Sequence, residues 1–159
     1  QTGWRFSCNQ VFADVIAACA APRPYTDDTW ITAEIQAGYT ALHKLGWAQS
    51  IEVWREDVLV GGLYGVTVGG IFCGESMFSR CRDASKLAFW ALMSLSRAWQ
   101  VELVDCQLEN DHLLSLGATI MSRNDYLALL AQQPETPTLP WSQAHSTLAA
   151  NGFAVAEVL

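Results

Sequence analysis

The sequence has few positive charges and no long hydrophobic run. Nine Lys and Arg residues stand against sixteen Asp and Glu residues, which gives a formal net charge of −7. A protein that binds nucleic acid unaided needs clustered Lys and Arg residues to neutralise phosphates, so this composition argues against that class. No apolar run approaches the ~20 residues of a membrane span, and the start of the chain lacks a signal-peptide pattern. We therefore predict no membrane association.

Paired cysteines of the metal-binding type are also missing. The sequence has an odd number of cysteines and no C-x-x-C pair; the five are Cys8, Cys19, Cys73, Cys81 and Cys106. Two of them lie inside strand-like runs, where a free cysteine behaves as a small hydrophobic residue. This usage predicts a reducing, cytoplasmic environment and no metal site.

The first two-thirds of the chain contain two helical patterns followed by alternating ones. Apolar residues at helical spacing predict helices over 9–20 and 32–46, the second with Thr32 as its N-cap. The period then changes to that of strands, with "WAQSIEVWRE", "VLVGGLYGVTV" and "IFCGESMF" joined by short turns. We therefore predict an antiparallel meander of three strands.

A long helical pattern over 84–99 leads from the third strand to a fourth, "VELVDCQ". Such a helical crossover implies that these two strands run parallel. Two short helices and a proline-rich tail, partly extended over 134–159, follow. The order predicts one α/β domain over 1–133 with a mixed sheet of the GNAT acyltransferase type: an antiparallel meander plus a splayed parallel strand pair, with helices on both faces.

Each strand of the predicted parallel pair contains one carboxylate. Strict alternation places Glu75 on the same side as Met77, unless a bulge near Gly74 breaks the count. Asp105 and Gln107 point the same way from the fourth strand. An isolated acid at a strand end usually caps the next helix, but two acids on adjacent parallel strands favour a functional site, because burying an acid costs free energy.

The turn after the third strand bears on the nature of an acyl donor. Coenzyme A binders of this fold need a glycine-rich turn whose backbone N–H groups hold the pyrophosphate. Here the turn reads "SRCRDASK", without glycine and with Asp83 in its middle. This argues against coenzyme A as the donor.

Several motifs together resemble the leucyl/phenylalanyl-tRNA–protein transferase family. They are "TWIT", "YTALHKLG", "SIEVWRED", "GGLYGV", "FCGESMFSR", "ASK", "DCQ", "NDH" and "SLGA", spread from about Trp30 to Leu130. The resemblance implies transfer of Leu or Phe, with Met also open, from tRNA to the α-amine of proteins that begin with Arg or Lys, which marks them for degradation. It further implies that a smaller N-terminal domain is absent from this chain, and it implies no cofactor. We expect a monomer.

The resemblance also implies roles for individual residues. Asp105 and Gln107 would serve peptide-bond formation, with Asp105 accepting or relaying the proton of the amine and Gln107 orienting it. Glu75 would hold the cationic acceptor. The residues that would bind the aminoacyl-tRNA are Trp30, Leu63, Phe72, Gly74, Met77, Phe89, Leu92 and Val104.

The sequence leaves open other roles for these residues and other functions for the chain. The apolar candidates could be ordinary core, since a pocket for Leu or Phe is made of the same residue types. The chain could be a non-catalytic module that recognises N-terminal Arg or Lys, or a coenzyme A-dependent N-acyltransferase. Gln49 stands where the family usually has histidine, so a role of that histidine in binding would be altered here.

Overall fold

The computed structural model describes residues 3–22 and 28–156, which contain one mixed sheet. Its five strands lie in chain order: β1 (Trp4–Cys8), β2 (Ala48–Arg55), β3 (Val58–Val68), β4 (Ile71–Ser79) and β5 (Leu103–Asp105). The pairs from β1 to β4 are antiparallel, and β5 runs parallel to β4. The predicted meander and parallel pair are confirmed. β1 was not predicted, because five residues directly before a helix show too little alternation.

Helices cover both faces of the sheet, as predicted. They are α1 (Phe12–Ala20), α2 (Ala33–Lys44), α3 (Ala84–Ala98), α4 (Asp111–Ser115), α5 (Arg123–Ala131) and α6 (Ala144–Ala150). The side chain of Thr32 accepts a hydrogen bond from the backbone N–H of Ile35, which confirms the predicted N-cap of α2. Within the described residues, no helix combines the length and the apolar character needed to span a bilayer.

Two hydrophobic cores lie on opposite faces of the sheet. One contains the inward side of α3, with Leu92 and Leu95, and extends to α6. The other contains α1, with Val15 and Ile16, and partly buried residues of α2. Each helix presents its apolar positions to one face, as helical spacing requires. Helices therefore cover both faces of the sheet, and even the charged residue Glu52 in β2 is fully buried.

A β-bulge in β4 overturns the strict alternation expected there. Tyr64 pairs with Ser76 and Gly65 pairs with Gly74, so Glu75 is an extra residue without a partner on β3. Side chains beyond the bulge change faces relative to those before it. Met77 therefore packs in the α3 core and does not share the side of Glu75, which corrects the expectation from alternation.

The segment after residue 133 is part of the folded domain. It forms a 3-10 helix (Trp141–Gln143) and α6, and Leu148 and Phe153 are buried in the α3 core. Val155 then bridges to Phe6 at the free edge of β1. Residues 134–156 therefore pack on the domain, in the segment where the sequence indicated a partly extended tail. Isolated apolar residues among prolines show no periodicity, so the sequence pattern did not reveal this packing.

Candidate functional site

The two parallel strands separate after only three paired positions. Ile71 pairs with Leu103, Phe72 with Val104, and Cys73 with Asp105. β5 then ends, and Gln107 takes a left-handed backbone conformation with φ of 67° that turns the chain away. β4 continues alone, and an open cleft of about 1090 Å³ lies beside it. The predicted splay is therefore present.

All eight residues predicted to bind the donor line this cleft. They are Trp30, Leu63, Phe72, Gly74, Met77, Phe89, Leu92 and Val104. Four of them form an apolar floor that is at most 8% exposed: Leu63, Phe72, Phe89 and Leu92. Trp30 is 52% exposed at the other extreme. The floor residues are therefore core and cleft lining at once, which is why composition alone could not separate the two roles.

Gln107 bridges the two strands at the point where they separate. Its side-chain Nε2 donates a hydrogen bond to the carbonyl oxygen of Gly74 at 2.9 Å. Its backbone N–H donates to Oδ1 of Asp105 at 2.7 Å. Because Nε2 is engaged, the orientation of the amide is set, and Oε1 keeps no protein donor among the described residues. Gln107 lines the cleft and presents a fixed hydrogen-bond acceptor there.

Asp105 lies behind Gln107 and is not among the described residues that line the cleft. The phenol of Tyr126 on α5 lies close to its carboxylate. Burial and this carboxylate together raise the pKa of Tyr126 to about 12, so the phenol stays a neutral donor at ordinary pH. Asp105 thus accepts a hydrogen bond from the backbone of Gln107 and lies near the phenol of Tyr126.

Glu75 is the extra residue of the β-bulge, and it lines the cleft. Burial, followed by the charge of Glu75 and a hydrogen bond to it, raises the pKa of Tyr39 on α2 to about 12. Tyr39 therefore stays a neutral phenol beside this carboxylate at ordinary pH. Glu75 is the one carboxylate among the described lining residues, so this part of the cleft attracts positive charge.

A single guanidinium also lines the described part of the cleft. It belongs to Arg80, which donates from one terminal nitrogen to the carbonyl oxygen of Leu59 at 3.1 Å. The carbon of the guanidinium lies 5.4 Å from the ring centre of Phe78. The neighbouring Arg82 and Lys86 both pair with Asp83. Among the described residues, no three His, Cys, Asp or Glu side chains form a group that could hold a metal ion.

The sequence reasoning missed Tyr39 and Tyr126. Both lie in helical segments and reach the two acids only through the tertiary fold, so no local pattern marks them. Gln49, which stands where the family usually has histidine, is 3% exposed and lies outside the described cleft lining. Its side chain donates to the carbonyl oxygen of Gly46 and accepts from the hydroxyl of Thr67. Gln49 is therefore a buried hydrogen-bonding residue of the sheet.

The fold and the splayed strand pair define an α/β domain of the GNAT class. A ribosomal-protein-alanine N-acetyltransferase from Brucella melitensis biovar Abortus 2308 superposes with a TM-score of 0.52 at 9% identity, covering 76% of this chain and 93% of that one. A predicted acetyltransferase with acetyl-CoA from Clostridium acetobutylicum gives 0.51 at 8% identity, covering 76% and 91%. At such low identity the likeness shows the fold alone.

Sequence comparison then gives the family. The profile of the leucyl/phenylalanyl-tRNA protein transferase family matches residues 1–131, and the chain belongs to this family. Curated proteins of that name are similar to it: one from Pseudomonas fluorescens (strain SBW25) is 51% identical over 89% of this chain and 63% of its own length. One from Tolumonas auensis is 50% identical over 85% and 58%. The chain thus spans about three-fifths of the length of these relatives.

Proposed function

We propose that this chain carries the catalytic site of an aminoacyl-tRNA-dependent transferase, which moves Leu or Phe from tRNA to the α-amine of an acceptor protein. The observation that carries the proposal is the position of Gln107. Its amide is fixed at the point where β4 and β5 separate, directly beside an apolar cleft floor. Family membership, together with relatives of that name, supports the same reaction.

The donor would enter with its amino-acid side chain on the cleft floor. The part-exposed side chains of Met77 and Val104 offer apolar surface above the buried floor, and burying a Leu or Phe side chain contributes roughly 1.5–3 kcal/mol. The exposed indole of Trp30 at the rim would stack on the terminal adenosine of the tRNA. This arrangement would place the ester carbonyl near Gln107.

The chemistry needs positioning more than activation, because an aminoacyl ester is already reactive. The lone pair of the acceptor amine attacks the ester carbonyl, a C–N bond forms, and the C–O bond to the ribose breaks. One amine proton must leave, and the ribose oxygen gains a proton. Oε1 of Gln107 would accept a hydrogen bond from the attacking amine and so aim its lone pair. Asp105 would act as a positioning residue through the backbone of Gln107, since it does not line the cleft.

The acceptor would be a protein that begins with Arg or Lys, and the modification would mark it for degradation in the cytoplasm. Glu75 supports this choice because it is a carboxylate that lines the cleft, close to Tyr39. The chain itself is acidic, at −7. We therefore infer that most of the positive surface for tRNA comes from the part of the family's chain that this sequence does not contain, and that this chain alone binds tRNA poorly.

A transfer assay tests the proposal. Labelled Phe-tRNA and a peptide beginning with Arg are mixed with the full-length protein that carries this chain. We expect Gln107→Ala to lower kcat by roughly 10²-fold, the typical loss when one positioned hydrogen-bonding group is removed from an active site. Asp105→Ala should lower kcat with a smaller change in KM.

The outcomes separate the alternatives. Unchanged transfer by both variants would refute the assigned roles. Binding of Arg-peptides without any transfer would instead favour a recognition module. A thermal shift with acetyl-CoA and acetylation of the peptide would favour the coenzyme A reaction. Asp111→Ala serves as a matched control, since it removes a solvent-exposed carboxylate at the start of α4.

A further inference from the structure

Trp141 packs against the back of the cleft floor. Its ring centre lies 5.5 Å from that of Phe72, with the two planes at 49°. Phe72 is fully buried and lines the floor of the cleft. The indole of Trp141 therefore occupies the space into which the ring of Phe72 would otherwise withdraw. Trp141 lies beyond residue 131, outside the segment matched by the family profile.

Hydrogen bonds and a second aromatic contact fix the indole. Its Nε1 donates to the hydroxyl of Thr67 at 2.9 Å, and that hydroxyl donates in turn to Gln49. Thr67 is fully buried, so its hydroxyl would keep only the bond to Gln49 if the indole moved, and solvent could not replace the lost donor. The ring of Trp99 packs against the indole at 5.3 Å and 78°. Trp141 therefore cannot slide away from Phe72 without losing both contacts.

We propose that Trp141 determines specificity for the donated amino acid by setting the depth of the cleft floor through Phe72. This rests on the proposed function, since the floor is where the Leu or Phe side chain would lie. A floor held rigid from behind admits a side chain of limited length. If the indole is removed, Phe72 relaxes into the vacated space, the floor deepens, and a longer side chain gains contact.

Gln49, which stands where the family usually has histidine, belongs to the same chain of hydrogen bonds as Thr67 and Trp141. Its amide is oriented because Nε2 donates to the carbonyl oxygen of Gly46 at 2.7 Å, which leaves Oε1 to accept from Thr67. Thr67 has one proton to donate, and it is used here, so its oxygen is left to accept from Trp141. The donor–acceptor order from Gln49 to Trp141 is therefore complete, and it anchors the C-terminal segment to the centre of the sheet.

The test compares two donors. For the natural sequence, Trp141→Ala and Trp141→Phe, we would measure kcat/KM with Phe-tRNA and with Leu-tRNA on one Arg-starting peptide. We expect the Phe/Leu ratio to rise roughly tenfold in Trp141→Ala, the size of effect that a small change in an apolar pocket has on discrimination. Trp141→Phe keeps an aromatic ring and so leaves a smaller cavity in the core. It should give a smaller rise in the same direction.

Phe153→Ala is the matched control. It removes a buried aromatic ring from the same segment, but its ring contacts are with Phe6 and Trp90, which do not line the described cleft. It should lower the melting temperature and leave the Phe/Leu ratio unchanged. An unchanged ratio in both Trp141 variants, or an equal shift in Phe153→Ala, would overturn the inference alone. Absence of transfer by the natural sequence would overturn the proposed function and this inference with it.

Discussion

Cys73 occupies the last paired position of β4 and β5, between the two acids of the site. Burial raises the pKa of its thiol from the ordinary 9.0 to about 11, and the charges of Asp105 and Glu75 add to the rise. The sequence placed both acids on neighbouring strands, and that prediction is confirmed. It did not reveal that one of them lines the cleft and the other lies behind it, because this depends on how far β5 continues beside β4.

A pH dependence of stability follows from the thiol. The folded state keeps the Cys73 proton more tightly than the unfolded state, so its contribution is complete below about pH 9 and is lost as pH rises towards 11. We expect the free energy of unfolding to be steady from pH 7 to 8.5 and to fall above this range. Urea unfolding at a series of pH values would measure it.

Replacement of the thiol is the check on this assignment. In Cys73→Ala the fall above pH 9 should be smaller than in the natural sequence. The remaining fall comes from the other groups whose pKa is raised, among them Cys8, Cys106, Tyr39 and Tyr126. Cys81→Ala, which removes a thiol from the turn before α3, should keep the full decrease. Identical profiles for Cys73→Ala and the natural sequence would refute the role of this thiol.

The bulge in β4 is the element on which the cleft depends. One extra residue, Glu75, puts Met77 on the same face as Phe72 while Glu75 itself approaches Tyr39. Without it, the apolar floor and the acid could not both be presented to one cleft. The close approach of the strands at this point requires Gly65. A Cβ there would lie 2.3 Å from the carbonyl oxygen of Cys73 and 2.6 Å from Cζ of Phe72.

Gly65→Ala should therefore destabilise the protein and disturb the floor. The contact with backbone cannot be relieved by a rotamer change, so we expect a loss of about 2 kcal/mol or more in the free energy of unfolding. Gly38→Ala is the matched control, because a Cβ there meets no atom within 4 Å and alanine favours helix by about 1 kcal/mol. Chemical denaturation of both variants measures the difference, and equal stabilities would contradict the packing at Gly65.

At the scale of the whole molecule, the C-terminal segment closes the fold. α6 completes the core on the α3 face, and the backbone of Phe6 donates to the carbonyl oxygen of Ala154 at 2.8 Å along the outer edge of β1. An exposed edge strand is a site for unwanted pairing with other chains, and this segment covers part of it. The segment thus joins the first strand of the described chain to its last helix.

Leu148→Ala tests whether the segment is part of the cooperative core. Leu148 is fully buried, and we expect a loss of about 3 kcal/mol, within the usual range for a buried leucine. Leu127→Ala removes the same atoms from α5 at a position that is 44% exposed, and it should cost much less. If calorimetry gave equal melting temperatures for the two variants, the segment would not belong to the core.

Features that depend on neighbouring residues could be predicted from the sequence. Thr32 as a helix cap, the turn at 69–70 and the parallel pair joined by α3 follow from spacing and turn chemistry, and the structure confirms them. The motif around Glu75, with "DCQ" downstream, likewise indicated the family that the comparisons show. These signals are local, so they can be read along the chain.

Which side chains meet across the fold could not be predicted from the sequence. The approach of Tyr126 to Asp105, the bulge at Glu75 and the packing of Trp141 behind Phe72 join residues that are far apart in the chain or depend on an adjacent strand. Periodicity reports which face of an element is apolar, and it carries no information on what that face contacts. The cleft, its fixed amide and its rigid floor are therefore properties of the packed sheet.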